Sequence, residues 1–490
     1  MNQRAILFGL LLALEAAIQY THIPLLADLT GLVALLVWVA ALGSSDRTSR
    51  TVSLVLVAVG SVLFAVAGTP LLNAAVSFGE SANVLLIMAL VPLASLPINL
   101  GGYEEALWVV SRDVKKPLYL FAVAALLVYL LGPVLLTAAI VLVWTVLYPV
   151  VEMAVQDPDD FLVVSLPRAY DASLLWAPSS PAMATVLGLT AASWTSVFWP
   201  GFLVSLFLLP LSVIMERRGA LFRPSVHSLE APSALEAALA LQAPSGAMWD
   251  VAAGFVAGSS AGLSAGPGVE PGVGLGVGLS KAAAFRKAGG LVAGLAFFIL
   301  AIVLLQRAGL TVFQSMVPCI AVTLAVWGAI LGKFREISRA AARYMSTKIP
   351  TLSSQFLLMT TAGFIGTALE KSLAHGFAGV AGAVHLNRLA FTLVASLFVW
   401  VLALVGVHPL IGMTITNSLL APFASAFSPT YRTLALLLGT VLGFNISPVS
   451  ATMLVTSGCV GKNTIEVGVK RQWKYVVVAW VVGSLLLTVL

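Results

Sequence analysis

Apolar residues run along this chain in blocks of about twenty, the length that carries a helix across a bilayer, and polar residues gather in the gaps between them. The blocks predict single spans at 4–20, 29–43, 51–68 and 83–103. A longer block, 117–149, is apolar throughout but split at Gly132-Pro133. A polar stretch with Glu152, Asp157, Asp159 and Asp160 follows, then an interrupted span at 172–197 and a plain one at 199–215. Glu216 to Ala288 form an Ala-rich and then Gly-rich connection. Its Gly-Val-Gly-Leu-Gly-Val-Gly run (272–278) has no preceding strand and no closing Lys-Ser/Thr, so it reads as flexible linker and not as a phosphate loop. The order then recurs. Spans fall at 289–306 and 311–331, a basic amphipathic stretch at 333–348 and a span at 352–370. A block at 387–425 is split at His408-Pro409, 432–458 is interrupted between Asn445 and Pro448, and 473–490 is apolar again.

The recurrence extends to spelling. Ser180-Pro181-Ala182-Met183-Ala184-Thr185-Val186-Leu187 reads S-P-x-x-A-T-x-L, and so does Ser447-Pro448-Val449-Ser450-Ala451-Thr452-Met453-Leu454. Pro133 and Pro409, Pro149 and Pro422, and Trp199 and Trp473 recur at similar offsets, as a duplication would leave them. The expected organisation is an extra N-terminal helix (1–24), a first repeat (25–216), a cytoplasmic linker (217–288) and a second repeat (289–490).

Composition agrees with a membrane protein: 60% hydrophobic residues and 9% charged, where a soluble domain carries about 25% charged. Cys319 and Cys459 have no CxxC spacing and suggest neither a disulfide framework nor a metal site. The net charge of +6 is unevenly spread. With the two split blocks taken as re-entrant hairpins and eleven full spans, one side collects 22 of the 26 basic residues, and the positive-inside rule makes that side cytoplasmic; taking 83–103 and 352–370 as the hairpins instead gives nearly the same count. The N-terminus is then cytoplasmic and the C-terminus external. Five spans per repeat insert the two copies in opposite orientations, an inverted repeat. Arg335, Arg339 and Arg343 share one helical face, suited to the cytoplasmic interface. The fold expected is therefore an all-α polytopic membrane protein with about eleven transmembrane helices, two re-entrant hairpins and two inverted repeats with broken helices.

A helix broken inside a bilayer frees backbone groups that protein, water or solute must satisfy. At the first break Ser179 and Ser180 supply hydroxyls and Thr185 follows; a half-helix starting there points its dipole and free N–H groups at an anion. At the second, Asn445, Ser447, Ser450 and Thr452 cluster, with Thr414, Thr416, Asn417 and Ser418 expected across the hairpin. His408, at a hairpin tip, is a candidate for ion coupling because imidazole titrates near neutrality. Serines bonding back to their own helix, or hydroxyls gluing helices together, are the bland alternatives. Glu15, Glu104-Glu105 and Glu370-Lys371 are the other charges near membrane depth, each readable as an interfacial or helix-pairing group.

The order span, span, span, hairpin, broken helix, span resembles the ion transporter superfamily, which includes divalent anion/sodium symporters, arsenite permeases and tripartite-system large subunits. Residues 412–422, closing on Leu419-Leu420-Ala421-Pro422, are similar to the hairpin run of those proteins, and Gly443 to Thr452 to their broken-helix loop. The first hairpin departs from the pattern, with Thr137 and Thr145 but no Asn or Ser. The resemblance implies a secondary transporter, a permease and not an enzyme, for a small anionic solute in the cytoplasmic membrane, coupled to Na⁺ or H⁺ and without other cofactor. Expected partners are the lipid bilayer, the solute and a second copy of the chain, with no nucleic acid. The alternatives are an integral-membrane enzyme acting on a lipid-linked substrate and a membrane subunit served by a separate binding protein.

Overall fold

The computed structural model describes residues 3–21, 23–114, 116–217, 219–224, 280–376 and 386–490. The Gly-rich tract and most of the linker lie outside the described residues. The described chain is helical, with one isolated bridge between Val155 and Pro224. Among the described residues, ten segments are long and apolar enough to cross a membrane. The first part holds α1 (Gln3–Thr21), α2 (Pro24–Leu42), α3 (Arg47–Val66), α4 (Leu71–Val76), α5 (Ala82–Leu90), α6 (Leu96–Gly101) and α7 (Tyr103–Ser111). It continues with α8 (Pro117–Leu135), α9 (Ala138–Ala154), α10 (Pro158–Ser173), α11 (Pro181–Thr190) and α12 (Trp194–Glu216). The second holds α13 (Lys281–Arg307), α14 (Val312–Leu331), α15 (Phe334–Thr347), α16 (Ser353–Gly376) and α17 (Arg388–Leu404). It ends with α18 (Pro409–Leu419), α19 (Pro429–Ile446), α20 (Ala451–Val460), a π turn at Ile465–Lys470 and α21 (Arg471–Val489).

Hairpin, broken helix and closing span occur in both halves, as α8–α12 and α17–α21, and these elements pack on one another as one body. The others, α1–α7 and α13–α16, form a frame around it. The two bodies meet mainly where α16 packs along α18, with further contacts of α5 on α11 and α7 on α9. In α15, Ile337 is buried and Arg335, Arg339 and Arg343 stay exposed, as an interfacial helix requires.

Several expected boundaries move. The first hairpin turns at Leu136-Thr137 and not at Gly132-Pro133, because Pro133 is absorbed inside α8 and the helix ends where Leu136 takes a left-handed φ of 52°. Gly132 serves packing: a Cβ there would lie 2.9 Å from the Ser173 hydroxyl and 3.0 Å from the Tyr170 ring. The first interrupted helix runs from 158 to 190, not 172–197. Asp157 accepts from the Asp160 amide at 2.9 Å and Pro158 occupies the first turn, a helix start hidden in what reads as a polar loop. Ala191 at φ 56° then ends α11, and Ser193 caps α12. The span expected at 83–103 is a bent series, α5, a 3₁₀ turn carrying Pro92, and α6 with Pro97. The final span begins eight residues earlier than expected, in the π turn at Ile465.

One end of the body is fastened by charge. Arg168, 2% exposed, reaches Glu216 at 3.0 Å, Gln472 at 2.7 Å and Ser212 at 3.3 Å, and its guanidinium lies 4.4 Å from the centre of the Tyr475 ring. Arg471 bridges Asp160 at 2.5 Å and both Glu216 oxygens at 3.1 and 3.0 Å. These side chains tie α10, α12 and α21 together.

Candidate functional site

The first break begins where α10 tightens. Successive i→i+3 bonds, Leu174 to Asp171 and Leu175 to Ala172, unwind the helix into the segment 174–180. The Ser179 hydroxyl donates to the Pro133 carbonyl of the first hairpin, and the Trp194 indole donates to the Trp176 carbonyl at 2.9 Å, so the unwound strand is held from both sides. Ser180 then caps α11, accepting from the Met183 amide at 3.3 Å, with Pro181 at the first helical position.

The second break is shorter. The Ser447 amide closes α19 on Gly443 at 2.8 Å. The Ser450 hydroxyl donates to the Phe444 carbonyl at 2.7 Å and accepts from the Met453 amide at 3.1 Å, so one side chain satisfies the end of α19 and caps α20. The breaks meet through side chains: the Thr452 hydroxyl donates to Asp171 Oδ1 at 2.8 Å. Asp171 has no exposed surface, and its Oδ2 has no hydrogen-bond partner among the described residues.

Between the breaks lies a cavity of about 90 Å³. The body lines it from four places: the turn of the first hairpin (Leu136, Thr137), the first break (Tyr170, Leu174, Ser180 to Ala182), the second hairpin (His408, Leu410) and the second break (Phe444, Ala451, Thr452). The frame closes it with Met88, Leu352 and Gln355. The cavity therefore straddles the boundary between body and frame, faced by the first turns of α11 and α20. The first-turn amides of Ala182, Ala451 and Thr452 have no acceptor within their own helices, as at any helix start.

Of the residues singled out in the sequence, Ser180, Thr452 and His408 line this cavity. His408 sits at the start of α18, where its Nδ1 accepts from the Leu410 amide at 3.4 Å and its ring stands edge-on to Phe444. Ser179, Ser447 and Ser450 shape the breaks behind it. Thr185 bonds back to Pro181 at 2.8 Å. Asn445 is buried; its Nδ2 donates to Val441 at 3.2 Å and its Oδ1 has no partner among the described residues. The second hairpin's polar run does not face the breaks. Thr414 and Thr416 bond back to Leu410 and Gly412, and Ser418 donates to Gly366 of the frame at 3.3 Å. Asn417 lies at a separate small cavity beside Arg432. Both halves contribute polar groups to the cavity wall: Thr137, Tyr170 and Ser180 from the first, His408 and Thr452 from the second. Asp171, Tyr170 and Gln355 went unrecognised in the sequence. The signal for the first two was Asp157-Pro158, which starts a helix early enough to carry residue 171 to the break.

These features define a polytopic membrane protein with a transporter-like architecture. The fold is similar to the solved structure of the YdaH transporter of Alcanivorax borkumensis, described as having an unusual topology, with a TM-score of 0.51 and 17% identity over 93% of this chain and 98% of that one. No protein-family model matches the sequence, and no curated protein matches it.

Proposed function

We propose that this protein is a secondary active transporter that moves a small anionic solute across the cytoplasmic membrane, driven by a cation gradient. The observation that carries this reading is the cavity at the boundary of body and frame, faced by the first turns of two half-helices from opposite repeats. Two positive dipole ends and three amides without intrahelical acceptors favour an anion. Discontinuous helices at matching places in two repeats are the usual setting for such a site, with transport by rocking one bundle against the other. The resemblance of residues 412–422 and 443–452 to ion transporter superfamily members supports the same reading. The uneven spread of basic residues supports a cytoplasmic N-terminus.

The test is uptake by the purified chain in proteoliposomes, screening monocarboxylates, dicarboxylates and oxyanions under imposed H⁺ and Na⁺ gradients. At least one anion accumulates, and Ser180→Ala and Thr452→Val weaken its apparent affinity. Absence of flux for every anion, or flux that both variants leave untouched, sinks the proposal.

A further inference from the structure

Asp171 is a carboxyl group without a counterion. It has no exposed surface, it forms no ion pair among the described residues, and one of its oxygens accepts only from Thr452 while the other has no partner there. Arg168, one turn back on α10, is held away by Glu216, Gln472, Ser212 and the Tyr475 ring. A carboxylate enclosed in this way is strongly disfavoured unless a positive charge compensates it, and one donated hydrogen bond offsets only part of that cost. The observed arrangement therefore calls for a bound cation. A metal cation asks for a shell of several oxygens, and the single hydroxyl within hydrogen-bond distance is no such shell. A proton asks for nothing more than the free Oδ2.

We propose that Asp171 is the proton-carrying group of this transporter, linked to the solute cavity by Thr452. This rests on the transporter reading above. Tyr170, Leu174 and Thr452 all wall the cavity, so the carboxyl lies directly behind the surface the solute touches. The step is simple: Oδ2 takes one proton from hydronium on the side to which the cavity opens and returns it to water on the other. Losing the proton puts a bare charge at the contact between the two breaks, and the two half-helix ends no longer fit around a neutral group. The titratable groups packed around α10 leave this role to Asp171. Tyr129 of α8 is hydrogen-bonded to Ser205, Tyr148 and Glu152 lie in the last two turns of α9, and Glu216 of α12 is in the Arg168 cluster. Arg432 is in the first turn of α19 and Cys459 near the end of α20, while Tyr170 precedes Asp171 on α10 and Tyr475 lies under the Arg168 guanidinium. His408 shares the cavity wall but already uses Nδ1 to accept from Leu410.

Two measurements on the full-length protein test this. Infrared difference spectra between acid and alkaline pH show a deuterium-sensitive carboxylic-acid band, one component of which is missing in Asp171→Asn, with monodispersity and thermal unfolding confirming that the variant folds. In proteoliposomes Asp171→Asn keeps solute counterflow but loses accumulation driven by a proton gradient, and Asp171→Glu restores part of it. A carboxylic-acid band that is identical in wild type and Asp171→Asn overturns the proposal. So does proton-driven accumulation in that variant, or wild-type accumulation that follows a Na⁺ gradient at fixed pH. A wild type with no flux for any solute defeats the transporter reading instead, and the infrared result still decides proton binding.

Discussion

Removing either partner of the Arg168–Glu216 pair should not cost the same. Arg168→Met keeps most of the aliphatic stem and deletes the charge. It removes a charged hydrogen bond, worth about 1.5–3 kcal/mol, and a desolvated cation–π contact, worth about 2 kcal/mol. It also relieves the burial of a guanidinium that is only 2% exposed, a gain of several kcal/mol. Glu216 is not stranded, because Arg471 still reaches both its oxygens at 3.1 and 3.0 Å. The net loss expected is about 2 kcal/mol or less. Glu216→Gln does the opposite. It leaves Arg168 charged and enclosed, with only Gln472, Ser212 and the Tyr475 ring as company, which is the case that costs about 3–5 kcal/mol. The double variant should cost less than the sum, with a coupling of about 1–2 kcal/mol. Equilibrium unfolding in mixed micelles, followed by tryptophan fluorescence, reads all three. If Arg168→Met costs more than Glu216→Gln, or if the two losses add, the assignment of Arg471 as the second guardian of Glu216 is wrong.

Three further outcomes follow from the breaks. A Cβ on Gly201 would stand 2.1 Å from the Leu175 carbonyl oxygen, so Gly201→Ala must displace the unwound strand; a loss of about 1–3 kcal/mol in unfolding stability is expected, with a larger fractional loss of flux than Gly290→Ala, where nothing lies within 4 Å. Ser180→Ala and Ser450→Ala each remove a helix cap and should cost about 1 kcal/mol, with Ser450 the more expensive because it also donates to Phe444; equal costs in unfolding would argue against its double duty. Asn445→Leu removes a buried oxygen that has no partner among the described residues, so stability should hold or rise; a loss above about 1 kcal/mol would show that the oxygen is satisfied in the membrane.

The places where the helices break were legible, because prolines and serines inside an apolar run have few other uses in a bilayer. Pro448 and Ser450 marked the second break closely, and Ser180-Pro181 marked the start of α11. What escaped was the far end of the first broken helix. Asp157, Asp159 and Asp160 look like loop residues because charge usually means water. Here Asp157 caps α10, and Asp160 is paired with Arg471, 311 residues away, a contact invisible along the chain. Misplacing that helix start also hid Asp171, which seemed to lie ahead of the membrane. The Thr414–Ser418 run misled for a different reason. Threonines on an apolar helix spell the same whether they reach across to a ligand or fold back to the preceding turn, and only the backbone's position distinguishes the two. The bent series at 82–101 was missed because Pro92 and Pro97 interrupt a run whose hydropathy never drops.

The two breaks differ in length. Residues 174–180 separate α10 from α11, while only 447–450 separate α19 from α20. In an inverted repeat with identical halves, swapping their conformations would turn one end state into a rotated copy of the other, and the two would have equal energy. With seven unwound residues on one side and four on the other, that equivalence is lost. The long segment reorients its half-helix about more free dihedrals than the short one. For the transport cycle proposed above, the inward- and outward-facing states would therefore differ in free energy before any solute or gradient acts, with the preferred side set by the backbone.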